Sequence, residues 1–367
     1  MAPKTSYTRV PLADAMALEK LDSHTYRVVL DENYCLNSVP NGGYAASCML
    51  AAANARLAER NQPDTMAAHF EYPTKISAGP AVITIEDTKI GESLLSTLHT
   101  TTSQHGLQSQ KPWITPQVSR RIILAYSTHT NLRNMGGLSV TTAFEAAHAD
   151  APSHPRPDFE ALKAAGVDEA WAETVLPASS ASTLLSLRNW HFYLPRAEPA
   201  VPGALDMWMR LASGERITQA AFPYIMDSFP FNMNEYIIAP EIRQMLREQG
   251  LLMEQRKQPS RQAKTKSPDG AEQEDEEELE TTGGRASLWI PTVVMNLEVK
   301  AALPEEGADW LAVRIVAKQI KDGRFDMEVI VRDVDDELIA LSHHVALMLD
   351  VERAAKSKSK ATSKAVL

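Results

Sequence analysis

The sequence predicts an α+β protein built from two copies of one unit, each a long helix laid against an antiparallel sheet. Three observations carry that prediction. The chain alternates one helical block with several strand blocks, and it does so twice. Short stretches of the two rounds match one another in the same order. Its 367 residues, at about 150 per domain, suit two units.

The first round opens with a strand at Thr25 to Leu30. Pro40-Asn41-Gly42-Gly43 reads as a turn, and Tyr44 to Glu59 is Ala-rich with apolar residues at helical spacing. Strand-like runs follow at His69 to Thr74, Ala81 to Ile90, Ser93 to Gln104 and Arg120 to Ser127. The second round begins at Asn189 to Leu194 and Leu205 to Leu211, then a helix from Ile217 to about Met226. Strands at Thr292 to Lys300, Trp310 to Ile320, Arg324 to Arg332 and Leu338 to Leu349 complete it.

Three matches tie the rounds together. Ile85 to Gly91 answers Val316 to Gly323, each a strand closed by a glycine turn. His69 to Tyr72 answers Asn296 to Val299. Leu124 to His129 answers Ile339 to His344, both reading aliphatic-Ala-x-Ser-x-His. Two units of a helix wrapped by an antiparallel sheet make a double hotdog, whose sheets pair side by side and protect one edge of each. The expected boundaries are 1–134 for the first unit, 135–187 for a linker with a short helix around Phe159 to Ala172, and 188–353 for the second unit. Charge runs and a lack of apolar residues predict a disordered insertion at 255–285 and a disordered Lys/Ser tail at 354–367.

Composition bounds the function. Apolar residues are 44% and charged residues 23%, the balance of a globular chain. The net charge of −10 argues against nucleic acid and anionic membrane as partners. No apolar stretch is long enough to span a bilayer, the first twenty residues lack a secretory signal, and the last three are not a peroxisomal address. A cytoplasmic protein is therefore expected. Cys35 and Cys48 make neither a disulfide scaffold nor a cysteine zinc site, and both read as core residues. Motifs of serine α/β-hydrolases, P-loop enzymes, Rossmann dehydrogenases and zincins are missing. Neither a cofactor nor a metal is expected. His148 and His154, in an acidic Pro-rich stretch, read as solvated loop residues.

Asp227 is the acid that stands out, the only carboxylate in the apolar run from Ala220 to Phe231. Buried alone it would cost several kcal/mol, on the order of 2–7, so it either has partners or lines a pocket, where desolvation would suit it to general-base work. The competing reading is an exposed helix-end residue or a cap for the turn at Ser228. Strand alternation puts His343 and His344 on opposite faces, one of them inward. Thr292 follows Pro291 at the start of a strand, where its hydroxyl can face a cavity mouth. For His344 and Thr292, a structural polar group is the alternative.

Several segments resemble a known family. Ser287 to Leu311 (SLWIPTVVMNLEVKAALPEEGADWL), Lys318 to Val329 (KQIKDGRFDMEV) and Leu338 to Leu347 (LIALSHHVAL) resemble the thioesterase-like superfamily of filamentous fungi, which is similar to the double-hotdog acyl-CoA thioesterase II family. Asn41-Gly-Gly-Tyr-Ala-Ala resembles the start of that family's first helix. The resemblance covers about Thr25 to Glu352, without the linker and the acidic insertion. It implies hydrolysis of an acyl-CoA or carrier-bound acyl thioester, in fungal secondary metabolism. In the family an Asp, a Thr or Ser, and a Gln hold the attacking water. These fall on Asp227, on Thr292 (or Ser287 in another register), and on His344, where this chain departs from the amide. The resemblance further implies an oxyanion met by backbone N–H groups at a helix N-terminus. An acyl chain would lie along Phe222, Tyr224, Met226 and Phe229, and a homo-oligomer would form by sheet pairing. Arg314, Lys318, Lys321 and Arg324 are candidates for coenzyme A phosphates, against the alternative of a solvated strand face. A dehydratase or cyclase of a polyketide-like substrate, or a non-catalytic acyl-binding protein, are the other readings.

Overall fold

The computed structural model describes residues 9–89, 95–103, 120–140, 142, 144–145, 154–197, 201–230, 233 and 288–350. The first half contains α1 (Leu12–Ala15), β1 (Leu18–Lys20), β2 (Thr25–Leu30), β3 (Cys35–Leu36), β4 (Val39–Pro40), α2 (Gly42–Ala58), β5 (Asp64–Glu71), β6 (Gly79–Lys89), β7 (Leu95–Ser103) and β8 (Arg120–Thr130). Then come α3 (Phe159–Ala165), β9 (Trp171–Glu173), β10 (Trp190–Pro195), β11 (Ala204–Leu211) and α4 (Phe222–Met226). The last stretch holds β12 (Leu288–Trp289), β13 (Thr292–Val299), β14 (Leu311–Val316), β15 (Ile320–Lys321), β16 (Arg324–Arg332), β17 (Leu338–Leu347) and β18 (Leu349–Asp350). The expected insertion at 255–285, the tail at 354–367, Ser287 and His148 lie outside the described residues.

One antiparallel sheet runs in the order β1-β2-β6-β7-β8-β5-β13-β17-β16-β14-β11-β10-β9, with β15 pairing on β16. The two halves join where β5 meets β13. There His69 pairs with Asn296, Phe70 with Met295 and Ala68 with Leu297. His69 and Asn296 are the residues that the repeat makes equivalent. A two-fold axis brings equivalent positions face to face, so the pairing is the one that two copies of a unit demand. His69 Nδ1 and Asn296 Oδ1 meet at 2.7 Å across the seam. The fold is a double hotdog.

The sheet wraps α2, which carries buried residues on every side, including Tyr44, Ala46, Met49, Leu50, Ala53 and Leu57. A helix apolar all round belongs in an interior. Residues of both halves form one core around it. Cys35 and Cys48 are free thiols buried in that core region, as expected, and burial pushes both up to about 12.

Several expectations need correction. The linker helix stops at Ala165, because Gly166 takes a left-handed φ of 72° and its N–H closes onto the Leu162 carbonyl. Residues Trp171–Glu173 form a sheet edge instead. This segment covers the outer sheet face with Leu162 and Trp171, packed against Tyr193, Trp208 and Trp310. Ile217 is no helix residue: it bridges to Ala308, a 3-10 turn follows at Gln219–Ala221, and α4 starts where Pro223 fixes the first turn. The strand expected to reach Ile320 ends at Val316, since the Ala317 N–H turns to the Gly203 carbonyl. Arg314 is neither at a mouth nor solvated. It is fully buried and its Nε and Nη2 donate to both oxygens of Asp206, at 2.8 and 2.6 Å. His154 is no solvated loop residue either, with Nε2 lying 3.8 Å from Asp206 and its ring against Trp171.

The third sequence match is displaced by two residues. His69 pairs with Tyr126 on β8, whereas its equivalent Asn296 pairs with His343 on β17. Ser127, not His129, therefore occupies the position of His344. A shift of two leaves every side chain on its original face, so alternation alone does not fix it.

Candidate active site

Asp227 is the C-cap of α4, at the end of a helix whose other residues are all buried. Its side chain is 9% exposed, which removes the reading as a solvated helix end. Two elements hold its carboxylate. Thr292 Oγ1, at the start of β13, donates to Oδ1 at 2.8 Å. The backbone N–H of Gly43, in the first turn of α2, donates to Oδ2 at 2.8 Å. Asn41 caps α2 by accepting from the Tyr44 N–H, and its Nδ2 donates to the Asp227 carbonyl. The acid of the second unit thus sits on the helix N-terminus of the first, where the dipole favours negative charge.

The approach is close because Gly43 has no side chain. A Cβ there would stand 2.1 Å from the Pro223 carbonyl oxygen and 2.6 Å from Asp227 Cβ. Thr292 stands just before a β-bulge at Val293, and Thr65 stands just before the equivalent bulge on β5. A bulge kinks a strand and re-aims the neighbouring side chain.

His344 faces inward from β17 and is fully buried, while His343 is exposed. Nδ1 of His344 is 3.9 Å from Asp227 Oδ1, beyond direct hydrogen-bond distance. Neither ring nitrogen has a hydrogen-bond partner among the described residues. Burial first, and the neighbouring His343 second, lower its pKa to about 3. The imidazole is neutral across the physiological range, so it offers a donor and an acceptor but no stored proton. The Phe229 ring lies edge-on to it, centroids 6.4 Å apart.

Of the residues expected along an acyl chain, Phe229 is the one beside this cluster. Phe222 is buried in the core, and Tyr224 belongs to an aromatic group with Tyr34, Tyr44 and Trp190. The Tyr224 hydroxyl donates to the Ser186 carbonyl at 2.9 Å. Lys318 pairs with Glu328 on an exposed strand face, and Lys321 and Arg324 are exposed as well.

The equivalent corner of the first unit is built differently. Ser127 Oγ meets His129 Nε2 at 2.7 Å, and Thr65 Oγ1 lies 3.0 Å from the Asn54 amide. An amide and hydroxyls surround that histidine, whereas a carboxylate faces His344.

Sequence reasoning missed three participants: Asn41 and Gly43, read only as a turn and a helix start, and Tyr72. Tyr72 follows β5, and its hydroxyl donates to the Gly42 carbonyl at 3.2 Å. A helix cap preceding Tyr44 was a usable signal for Asn41; no local signal marks Tyr72.

Comparison with known proteins agrees with this architecture. A family model described as the acyl-CoA thioesterase N-terminal domain matches residues 30–121, and one described as the acyl-CoA thioesterase C-terminal domain matches residues 159–348. The thioesterase-like protein TwmA of Talaromyces wortmannii is 52% identical over 356 residues, covering 97% of this chain and 96% of that protein. A hot dog fold protein of Alicyclobacillus acidocaldarius superposes with a TM-score of 0.62 at 18% identity, over 93% of this chain and 99% of its own. The acyl-CoA thioesterase II TesB2 of Mycobacterium marinum superposes with a TM-score of 0.51 at 15% identity, over 92% and 97%. At these identities the two structures speak for the fold.

Proposed function

The chain belongs to the acyl-CoA thioesterase family, and we propose that it hydrolyses acyl thioesters through Asp227, Thr292 and His344. The observation that supports this reading is the carboxylate of Asp227, fixed at both oxygens and facing a neutral imidazole whose nitrogens have no hydrogen-bond partner among the described residues. Thr292 and Gly43 hold both carboxylate oxygens and aim them. Water held between Asp227 and His344 gives a proton to Asp227 as its oxygen attacks the thioester carbonyl. The C–S bond then breaks and the proton on Asp227 passes to the departing sulfur, leaving a carboxylic acid, a thiol and the regenerated carboxylate. His344 takes the orienting role that an amide plays in related sequences, since a side chain neutral down to about pH 3 is no proton store at neutral pH. The positive end of the α2 dipole, whose Gly43 N–H already holds Asp227, also favours a developing oxyanion nearby.

Acyl-CoA or a carrier-bound acyl group is the substrate class, with Phe229 beside the acyl chain and the residues of α4 behind it. Identity to a fungal thioesterase-like protein supports a fungal origin, and we extend this to a role in secondary metabolism. The two buried free thiols support a reducing compartment, here the cytoplasm. Among the described helices none is long and apolar enough to cross a membrane. A homo-oligomer formed through sheet pairing would use β1 or β9, each three residues long.

Thiol release from short, long and branched acyl-CoAs, and from acyl groups on a carrier protein, tests the reading. Release from one class establishes hydrolysis and names the carrier. Binding without release would support an acyl-binding protein, and a changed acyl group with its thioester intact would support the dehydratase or cyclase.

A further inference from the structure

We propose that Tyr72 is a positioning residue for Asp227, acting through the single peptide unit that joins Gly42 to Gly43. The inference rests on the reading of Asp227 as the base that activates water. The carbonyl of that peptide accepts from the Tyr72 hydroxyl at 3.2 Å, and its N–H donates to Asp227 Oδ2 at 2.8 Å. Both groups belong to one rigid plane, so a hydroxyl that fixes the carbonyl also fixes the direction of the N–H. A hydrogen bond accepted at one end of an amide strengthens the donor at the other.

Two further observations point the same way. A Cβ on Gly42 would lie 3.2 Å from Asp227 Oδ2 and 3.2 Å from Tyr72 Cε1, so the ring and the carboxylate flank one backbone point. The Tyr72 N–H donates to the Val293 carbonyl at 3.1 Å, beside Thr292, which holds the other carboxylate oxygen. Tyr72 therefore ties the first turn of α2 and the bulge of β13 into one frame around Asp227. Burial, and then the negative charge of Asp227, raise the phenol well above its usual pKa, so the hydroxyl keeps its proton and remains a donor. Among the described residues, the titratable groups shown to face Asp227 are Tyr72, just after β5, and His344 from β17, with His343 on the far side of that strand.

Tyr72→Phe removes the hydroxyl and keeps the ring. Thiol release is measured against pH for the wild type, Tyr72→Phe and Asp227→Asn, on the best acyl-CoA substrate. The expected result for Tyr72→Phe is a kcat lower by about two- to tenfold, the range for one net hydrogen bond. KM should stay within about twofold and the acid limb of kcat should move to higher pH, because the carboxylate has lost stabilisation. An unchanged kcat and acid limb, or a rise in KM alone, would overturn the inference while an inactive Asp227→Asn leaves the hydrolytic reading standing. If Asp227→Asn is as active as the wild type, that reading falls and the inference with it. Should the Phe variant not fold, Tyr72→Met at similar volume undergoes the same measurement with the same two outcomes.

Discussion

The N–H of Gly43 on α2 donates to Oδ2 of Asp227 at the end of α4, 184 residues away, at 2.8 Å. The site is therefore not a property of either unit alone. The second unit supplies the acid, the hydroxyl and the imidazole, and the first supplies the helix terminus that holds the acid.

That contact depends on glycine. Gly43→Ala would drive a methyl group into the Pro223 carbonyl and Asp227, both far inside contact distance. Overpacking of this kind costs typically 1–3 kcal/mol, about 1 at the least. The expected outcome is a lowered thermal midpoint together with loss of thiol release, seen by calorimetry and a thiol assay on one preparation. Gly42→Ala, where the nearest atoms stand at 3.2 Å, should be milder on both counts.

His344 makes a prediction about pH. The unfolded imidazole takes up a proton below its ordinary pKa of 6.5, whereas the folded one remains neutral until about pH 3. The unfolded state binds more protons in that window, so stability falls as the pH drops from 6.5 towards 3. His344→Gln removes that proton uptake, and its thermal midpoint should decline less steeply than the wild type's over the same range. Because the variant restores an amide, it should retain thiol release within about tenfold, a loss on the scale of one hydrogen bond. His344→Ala should lose more.

The buried pair of Asp206 and Arg314 is structural. Arg314→Met leaves the Asp206 carboxylate without its guanidinium in an interior where Asp206 is 8% and Arg314 0% exposed by side chain. Removing one partner of such a pair costs about 3–5 kcal/mol. A lower urea midpoint should follow, and pairing the change with Asp206→Leu should recover most of it. The neighbouring His154, which anchors the linker segment, should be less costly to remove.

Asp227 was legible because one carboxylate in an apolar run needs a reason to be there, and Thr292 because a strand opens after Pro291. His344 was legible because alternation sends one of two adjacent histidines inward. The convergence of the three was not, since it depends on β13 pairing with β17 and on α4 meeting α2, beside a seam between β5 and β13, none of which local periodicity encodes. The repeat pointed to that seam through His69 and Asn296, yet the same repeat slipped by two at Ser127, where either register satisfies the faces. Arg314 was misread for a related reason. Its charge is a local signal for solvent, and its partner Asp206 lies 108 residues away. The end of α3 at Gly166 needed the left-handed backbone that composition alone did not announce.

The most direct measurement is thiol release by the wild type and Asp227→Asn over the acyl-CoA panel, with thermal midpoints to show that both are folded. The substitution keeps the shape of the side chain and removes the base. A folded variant slower by about 10²-fold or more is the predicted result. Equal rates in two folded proteins would contradict the assignment of Asp227 and leave the Gly43 contact as a purely structural one.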